Sequence, residues 1–170
     1  HRDLFIKNRG RIAVFIKKVS LSRKIKHWKD LSKFRINNDG YYTGADMFSP
    51  KQVDKGSIKL TNILKNSLHG RVADLGSGWG YLSKSVLLTN FKIEQVTMFE
   101  KNFSAINAAR LNVLDERARF KWLNIKVLKK FKTKFDHVIC NPPFHEGRQI
   151  SMELLALFID CSAHILKENG

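Results

Sequence analysis

A short apolar strand that runs into a glycine-rich turn constrains the fold of this chain more than any other feature. Residues 71–75 are predicted to form the strand and residues 81–89 a helix, and the turn between them is Gly76-Ser77-Gly78-Trp79-Gly80. Glycine allows positive φ angles and leaves no side chain in the way of a ligand. Strand, glycine turn and helix in this order are typical of α/β folds whose backbone approaches a nucleotide-like ligand. A purely structural tight turn would have the same spacing.

Further strands and helices are predicted to alternate along the chain, which indicates an α/β fold with parallel strands and right-handed crossovers. Strands are expected at 95–99, 120–123 and 135–140, and helices at 53–64, 104–112 (capped by Ser104) and 149–166. Upstream, the patterns predict a strand at 12–19, a helix at 22–31, a turn at 37–40 and an irregular loop at 41–50.

The strand at 135–140 is predicted to end at Asn141-Pro142-Pro143-Phe144, because proline cannot donate a ladder hydrogen bond. The side chain of Asn141, the nearby carbonyl and the ring of Phe144 suit a planar molecule with an amino group, which the ring can stack on and the oxygens can hold. The alternative is a Pro-Pro turn with Phe144 in the core. Glu100 ends the second strand, where α/β folds hold ribose hydroxyls; the alternative there is a solvated charge.

These motifs, in this order, resemble the class I S-adenosylmethionine-dependent methyltransferases. The resemblance implies a Rossmann-like α/β sheet with helices on both faces, with S-adenosylmethionine across the carboxyl ends of its strands. It divides the chain into a basic segment at 1–40 and a methyltransferase domain at 41–170, whose last strands are expected to be missing from the sequence given. The residues that it implies for the cofactor are Asp74, Gly76, Ser77, Gly78, Gly80, Glu100 and Asn124. Asn124 stands where the family often has Asp.

A narrower resemblance points to the substrate. Asn141-Pro142-Pro143-Phe144-His145 with Gly147, Met47-Phe48-Ser49-Pro50, and Asp54-Lys55-Gly56-Ser57 before a helix are similar to the methyltransferase small domains of the RsmC/RlmG type. That resemblance implies methylation of the exocyclic N2 of a guanine in ribosomal RNA, with the small subunit favoured. The catalytic residues that it implies are Asn141, Pro142 and Phe144. Substrate contacts are expected from Phe48, Ser49, His145 and Arg148, each of which also has an ordinary structural explanation, as do Asp54 and Gly56.

The charge distribution favours a polyanionic partner, which the resemblance implies to be ribosomal RNA or a ribosomal subunit. The formal net charge is +16, and residues 1–35 account for +10 of it, with twelve Lys or Arg against Asp3 and Asp30. Such an excess attracts nucleic acid and makes binding salt-dependent. A solvated basic face and a membrane-surface segment are the alternatives, the latter weaker because no sustained apolar face accompanies the charges.

Several other classes of site are not expected. No apolar run is long enough to cross a bilayer, and no Cys–His spacing predicts a metal site. The chain begins without an initiator Met or a signal peptide, which fits an internal fragment. Cys140 and Cys161 lie in apolar stretches and are expected to fill the core, consistent with a cytoplasmic protein. Two other functions stay open: methylation of another planar nitrogen, such as adenine N6 or a protein glutamine, and a catalytically silent RNA-binding or ribosome-assembly module.

Overall fold

The computed structural model describes residues 3–7, 10–14, 27, 29–30, 32–142, 145–146, 149–150 and 152–168. Side chains are described at 27, 29–30, 32–142 and 152–168, and the remaining segments by their backbone alone. The chain forms two compact units, His1–Lys33 and Phe34–Gly170. The division of the sequence at residue 40 stays a prediction.

The first unit contains an antiparallel hairpin of β1 (Asp3–Lys7) and β2 (Gly10–Val14). The strand predicted at 12–19 overlaps β2 only as far as Val14, and residues 15–26 lie outside the described residues. Of the helix predicted at 22–31, the described residues His27, Lys29 and Asp30 are helical.

The second unit is an α/β domain, as the sequence predicted. Its strands are β3 (Arg35–Ile36), β4 (Tyr42–Thr43), β5 (Gly70–Leu75), β6 (Ile93–Glu100), β7 (Ala118–Trp122), β8 (His137–Cys140), β9 (His145–Glu146) and β10 (Gln149–Ile150). Its helices are α1 (Lys55–Ile63), α2 (Tyr81–Thr89), α3 (Phe103–Asn112) and α4 (Met152–Ile165), with a 3-10 helix at Ile125–Lys130.

Four parallel strands form the central sheet in the order β7-β6-β5-β8. The chain steps outward from β5 through β6 to β7 and then returns to the opposite side of β5 for β8. Between β5 and β8 the direction of winding reverses, and α/β sheets bind their ligands beyond the carboxyl ends of the strands at such a point. Leu75 pairs with both Phe99 and Cys140, so β5, β6 and β8 end together at this edge.

Alternate residues of the central strands supply two cores, one on each face of the sheet, as the period of two in a strand requires. Val72, Val96 and Met98 pack with residues of α2 and α3 on one face. The opposite face buries Leu75 and Phe99 with residues of α4 and of the 3-10 helix. The layered arrangement with helices on both faces is the predicted fold class.

Several predicted boundaries differ from the structure. Asn102, not Ser104, caps α3, since its side chain accepts from Ala105 N at 3.2 Å. The loop predicted at 41–50 includes β4, which pairs with β3. The long last helix begins at Met152, because 149–150 belongs to β10. Strand β6 begins two residues before its predicted start, and β7 lies at 118–122 instead of 120–123.

None of the helices in the described part of the chain is both long enough and apolar enough to span a bilayer.

Candidate active site

A cavity of about 460 Å³ opens at the carboxyl edge of the sheet, within the usual size of small-molecule sites. Side chains and backbone from the ends of β5, β6 and β8 line it, together with the loop at 44–50 and the first turn of α1. Of the residues singled out from the sequence, the lining includes Phe48, Ser49, Asp74, Gly76, Ser77, Gly78, Glu100, Asn124 and Asn141.

The glycine turn needs its glycines for backbone conformation. Gly76, Gly78 and Gly80 have φ angles of 72°, 55° and 92°, in the left-handed region that a Cβ disfavours. A Cβ at Gly78 would meet nothing within 4 Å, so space is left there for a ligand. Gly80 does not line the cavity; it caps α2, and a Cβ there would lie 2.9 Å from the side chain of Val113. Its position therefore indicates close packing of the turn on α3.

Glu100 closes one side of the cavity. Its carboxylate accepts from Gly78 N at 3.0 Å and from Asn102 N at 2.7 Å, which fixes the side chain between the glycine turn and the start of α3. A carboxylate has about four acceptor positions, and these two bonds use half of them. The remaining positions suit hydroxyl donors such as those of a ribose.

Asp74 is buried at the end of β5 and is 1% exposed. Burial, with the nearby charge of Glu100, raises the pKa of its carboxyl group to about 7, although Ser83 opposes the shift by donating a hydrogen bond at 2.6 Å. Such a buried carboxyl group can bind a cation, because the positive charge would stabilise the ionised form of the carboxyl group.

Ser77 adds a polar group without a partner. Its Oγ is buried and has no hydrogen bond within the part of the chain that the structure describes, which is uncommon for a hydroxyl group. An unpaired hydroxyl, two carboxyl groups and an open glycine turn together fit a ligand with both charged and hydroxyl groups. S-adenosylmethionine has these groups in its amino acid and ribose parts.

Asn124 lines the cavity and caps the 3-10 helix, since its Oδ1 accepts from Lys126 N at 3.0 Å. The predicted role of this oxygen, acceptance of a hydrogen bond from an adenine amino group, needs its second lone pair. That role stays a prediction.

Asn141 follows β8, and its side chain is hydrogen-bonded to the capping residue and the first turn of α1. Its Nδ2 donates to Asp54 Oδ2 at 2.9 Å and to Ser57 Oγ at 2.8 Å. The sequence did not predict these contacts of Asp54 and Ser57, because the two residues lie 87 and 84 positions from Asn141. The signal available was the Asp-x-Gly-Ser spacing before a helix, which predicts the cap that Asp54 also forms through Ser57 N.

The loop at 44–50 covers the glycine turn. Trp79 donates from Nε1 to the carbonyl oxygen of Phe48 at 2.9 Å, and its ring lies 5.0 Å from that of Tyr41 between centroids. The side chain of Phe48 is 60% exposed at the cavity. Ser49 has a φ of 46° and donates from Oγ to the carbonyl oxygen of Gln52, a local bond that stabilises the turn.

The other residues predicted for catalysis or substrate binding do not contribute a described side chain to the cavity lining. Pro142 is buried and is not among the lining residues. His145 is described by its backbone, in β9, and Phe144 and Arg148 lie outside the described residues. Their assigned roles stay predictions.

The methyltransferase small domain is the family whose model matches residues 40–170. The chain belongs to this family. It is 30% identical to the ribosomal RNA small subunit methyltransferase C of Haemophilus influenzae over 120 residues, 71% of this chain and 36% of that relative. The corresponding protein of Citrobacter koseri is 29% identical over 145 residues, 85% of this chain and 41% of the relative. The chain therefore spans less than half of the length of these curated relatives.

One solved structure similar to this methyltransferase small domain is a SAM-dependent methyltransferase of Thiobacillus denitrificans in complex with S-adenosyl-L-homocysteine. Its TM-score is 0.54 and its identity 16%, over 74% of this chain and 49% of that one. At this identity the likeness shows the fold alone. Membership of the family confirms the predicted enzyme class, a methyltransferase, and with it the predicted methyl donor, S-adenosylmethionine.

Metal ligands were not expected from the sequence. Within the described residues, the His, Cys, Asp and Glu side chains form no group of three or more that could hold a metal ion. Cys140 and Cys161 are not in a disulfide, and burial together with the charge of Asp74 raises the pKa of the Cys140 thiol to about 11.

Proposed function

We propose that this domain transfers a methyl group from S-adenosylmethionine to the exocyclic N2 amino group of a guanine in ribosomal RNA, with the small subunit favoured. The observation that carries the proposal is the orientation of the Asn141 amide. Both bonds of its Nδ2 go to Asp54 and Ser57, and no described residue donates to its Oδ1. The amide therefore offers an acceptor to the cavity, and an acceptor is what an amino group needs.

This reaction depends more on the orientation of the substrate amino group than on a strong base. S-adenosylmethionine would supply an electrophilic methyl group on its sulfonium sulfur and would leave as S-adenosylhomocysteine when the bond from carbon to sulfur breaks. The methylated amino group would lose one of its protons to solvent. The lone pair of an aromatic amino group is delocalised into its ring, so the group is a poor nucleophile. An amino group that donates to Asn141 Oδ1 would be held with more tetrahedral character at nitrogen and with its lone pair toward the methyl carbon. Such positioning and electrostatic fit account for most of the acceleration in reactions of this kind. The second acceptor predicted from the sequence, the Pro142 carbonyl, belongs to a buried residue outside the cavity lining.

The choice of ribosomal RNA rests on the relatives and on charge. Both relatives described above carry the name ribosomal RNA small subunit methyltransferase C. The net charge of +16 suits a large polyanion and disfavours a protein glutamine as substrate. Guanine N2 is the finer part of the proposal and rests on the likeness of Asn141-Pro142-Pro143-Phe144-His145 to the RsmC/RlmG pattern.

The test is methyl transfer from labelled S-adenosylmethionine to naked ribosomal RNA and to 30S and 50S particles, followed by mass spectrometry of the nucleosides. We expect N2-methylguanosine from the small-subunit substrate. Asn141→Ala should lower kcat by about 100-fold or more, the scale expected when an oriented interaction is removed from the transition state. Asn38→Ala, an exposed asparagine outside the cavity lining, is the matched control and should leave kcat unchanged.

Other outcomes separate the alternatives. Label in N6-methyladenosine or in protein would keep the methyltransferase and contradict the guanine assignment. Binding of RNA with neither cofactor binding nor transfer would favour the silent RNA-binding module.

A further inference from the structure

The first turn of α1 contacts the proposed catalytic side chain directly. Asp54 Oδ2 and Ser57 Oγ accept the two Nδ2 bonds of Asn141, at 2.9 and 2.8 Å. Asp54 and Ser57 are half-buried, as is Asn141, and all three line the cavity. The contacts therefore join an element that precedes the central sheet to the end of its strand β8.

The bond to Asp54 determines which end of the amide faces the cavity. A half-turn of the amide would bring Oδ1 against the carboxylate of Asp54 and would break that hydrogen bond, whereas the Ser57 hydroxyl could donate to Oδ1 instead of accepting from Nδ2. Two oxygens at such a distance repel, and one of them is charged, so the reversed orientation is strongly disfavoured. In the observed orientation the carboxylate also polarises the amide, which strengthens Oδ1 as an acceptor.

Asp54 is itself held in place. Its Oδ2 also accepts from Ser57 N at 3.0 Å, as the cap of α1. A Cβ at position 56 would lie 2.9 Å from this oxygen and 3.6 Å from the amide of Asn141. Glycine at 56 therefore leaves the space in which the carboxylate and the amide meet, and residues 54, 56 and 57 act as one unit.

We propose that Asp54 and Ser57 are positioning residues that hold the amide of Asn141 with its oxygen toward the substrate amino group. The proposal rests on the function proposed above, in which Asn141 acts in methyl transfer. Without the bond to Asp54 the amide can rotate, and a share of the molecules would present Nδ2, which repels an amino group. Without the bond to Ser57 the amide keeps its orientation but is held less firmly in place. Misorientation of a reacting group commonly lowers kcat by about 10- to 100-fold.

Ser57→Ala is the sharpest variant, because it removes one acceptor, keeps the cap from Asp54 and places a better helix former in the first turn. Asp54→Ser keeps a capping oxygen on a side chain too short to reach Asn141, and Ser57→Thr keeps the hydroxyl. Ser67→Ala, an exposed serine just beyond the same helix, is the matched control.

Two readouts test the proposal, kcat for RNA methylation and the side-chain amide resonances of Asn141 in the ligand-free chain. For Ser57→Ala and Asp54→Ser we expect kcat to fall by about 10- to 100-fold, and the two Asn141 amide protons to shift and exchange faster. Melting temperature and the Kd for S-adenosylmethionine should stay close to those of the wild type. Ser57→Thr should recover most of the activity, and Ser67→Ala should match the wild type.

The resonances separate failure of this proposal from failure of the proposed function. If the wild type transfers no methyl group but the Asn141 amide protons shift in Ser57→Ala, the hydrogen bond stands and the proposed function fails. If the wild type is active and Ser57→Ala changes neither kcat nor the amide protons, the positioning role is overturned. A fall in cofactor affinity as large as the fall in kcat would also overturn it, because it would indicate a general loss of cavity structure.

Discussion

Asp74 lines the cavity, and its burial affects both ligand binding and the pKa of its carboxyl group. Its carboxyl group is buried beneath the glycine turn, and desolvation raises its pKa to about 7. Near neutral pH the group is therefore partly protonated in the ligand-free chain. A bound ammonium group, such as that of the amino acid part of S-adenosylmethionine, would favour the ionised form and release the proton.

We predict from this that affinity for S-adenosylmethionine rises between about pH 5.5 and pH 7.5, with release of a proton on binding. Titration calorimetry in buffers of different ionisation enthalpy measures both quantities. Asp74→Asn should bind more weakly and lose the pH dependence in this range. An unchanged pH profile in Asp74→Asn would contradict the assignment of Asp74 to the ammonium group.

The same carboxyl group affects stability without ligand. Because its pKa is higher in the folded than in the unfolded chain, its contribution is largest below about pH 4 and disappears as pH rises through about 7. Asp115 and Asp136 have lowered pKa values, the first from its hydrogen bond with Arg117 and the second from that with Lys167. They therefore titrate below this range. The difference in unfolding free energy between the wild type and Asp74→Asn isolates the effect of Asp74.

One side chain of α3 connects this helix to both the glycine turn and β4. Asn112 is buried at the end of this helix and donates from Nδ2 to the carbonyl oxygens of Trp79 and Tyr42, at 2.8 and 2.9 Å. Its Oδ1 accepts from Tyr42 N at 2.7 Å. The glycine turn and β4 are thus held to the same helix end.

We expect Asn112→Ala to lower the unfolding free energy by roughly 2–4 kcal/mol, because it leaves the buried carbonyl group of Trp79 and two part-buried backbone groups of Tyr42 without their partner. Cofactor affinity should fall as well, since the glycine turn loses its anchor. Urea unfolding and calorimetry measure the two effects, and Asn38→Ala again serves as an exposed control. A decrease of less than about 0.5 kcal/mol, the usual limit for surface changes, would contradict the anchoring role.

The central elements could be predicted from the sequence because their signals are local. Strands β5 and β8 are apolar runs that stop at Gly76 and Pro142, so the residues at their ends could be named. The 3-10 helix at Ile125–Lys130 has no such local signal. Ile125 and Leu128 are buried against α4, and this contact between elements distant in sequence could not be read from the local pattern. The cap of α3 was misassigned because serine and asparagine are both favoured caps, and both Asn102 and Ser104 stand at the start of this helix. The hydrogen bonds of Asn141 to Asp54 and Ser57 could not be predicted because they join residues 87 and 84 positions apart.

For the whole molecule, charge is the property that sequence alone describes best. Residues 1–33 contain eleven Lys or Arg, and the complete chain has 31 against 15 Asp or Glu. Each phosphate neutralised by a cationic side chain releases counterions, so the logarithm of affinity falls linearly with the logarithm of salt concentration. The slope of that line measures how many phosphates the protein neutralises.

We predict a steep salt dependence for binding of ribosomal RNA, with a large share of it due to residues 1–33. Replacement of the eleven Lys and Arg in that segment by Gln should reduce the slope by about 0.7–0.9 for each phosphate that is no longer neutralised, and we expect a reduction of at least about 2. Affinity for S-adenosylmethionine, measured by calorimetry on the same variant, should not change, because every described residue that lines the cavity comes after residue 46. An equal slope in both proteins would mean that the segment is a solvated basic surface and that RNA binds to the domain at 34–170 instead.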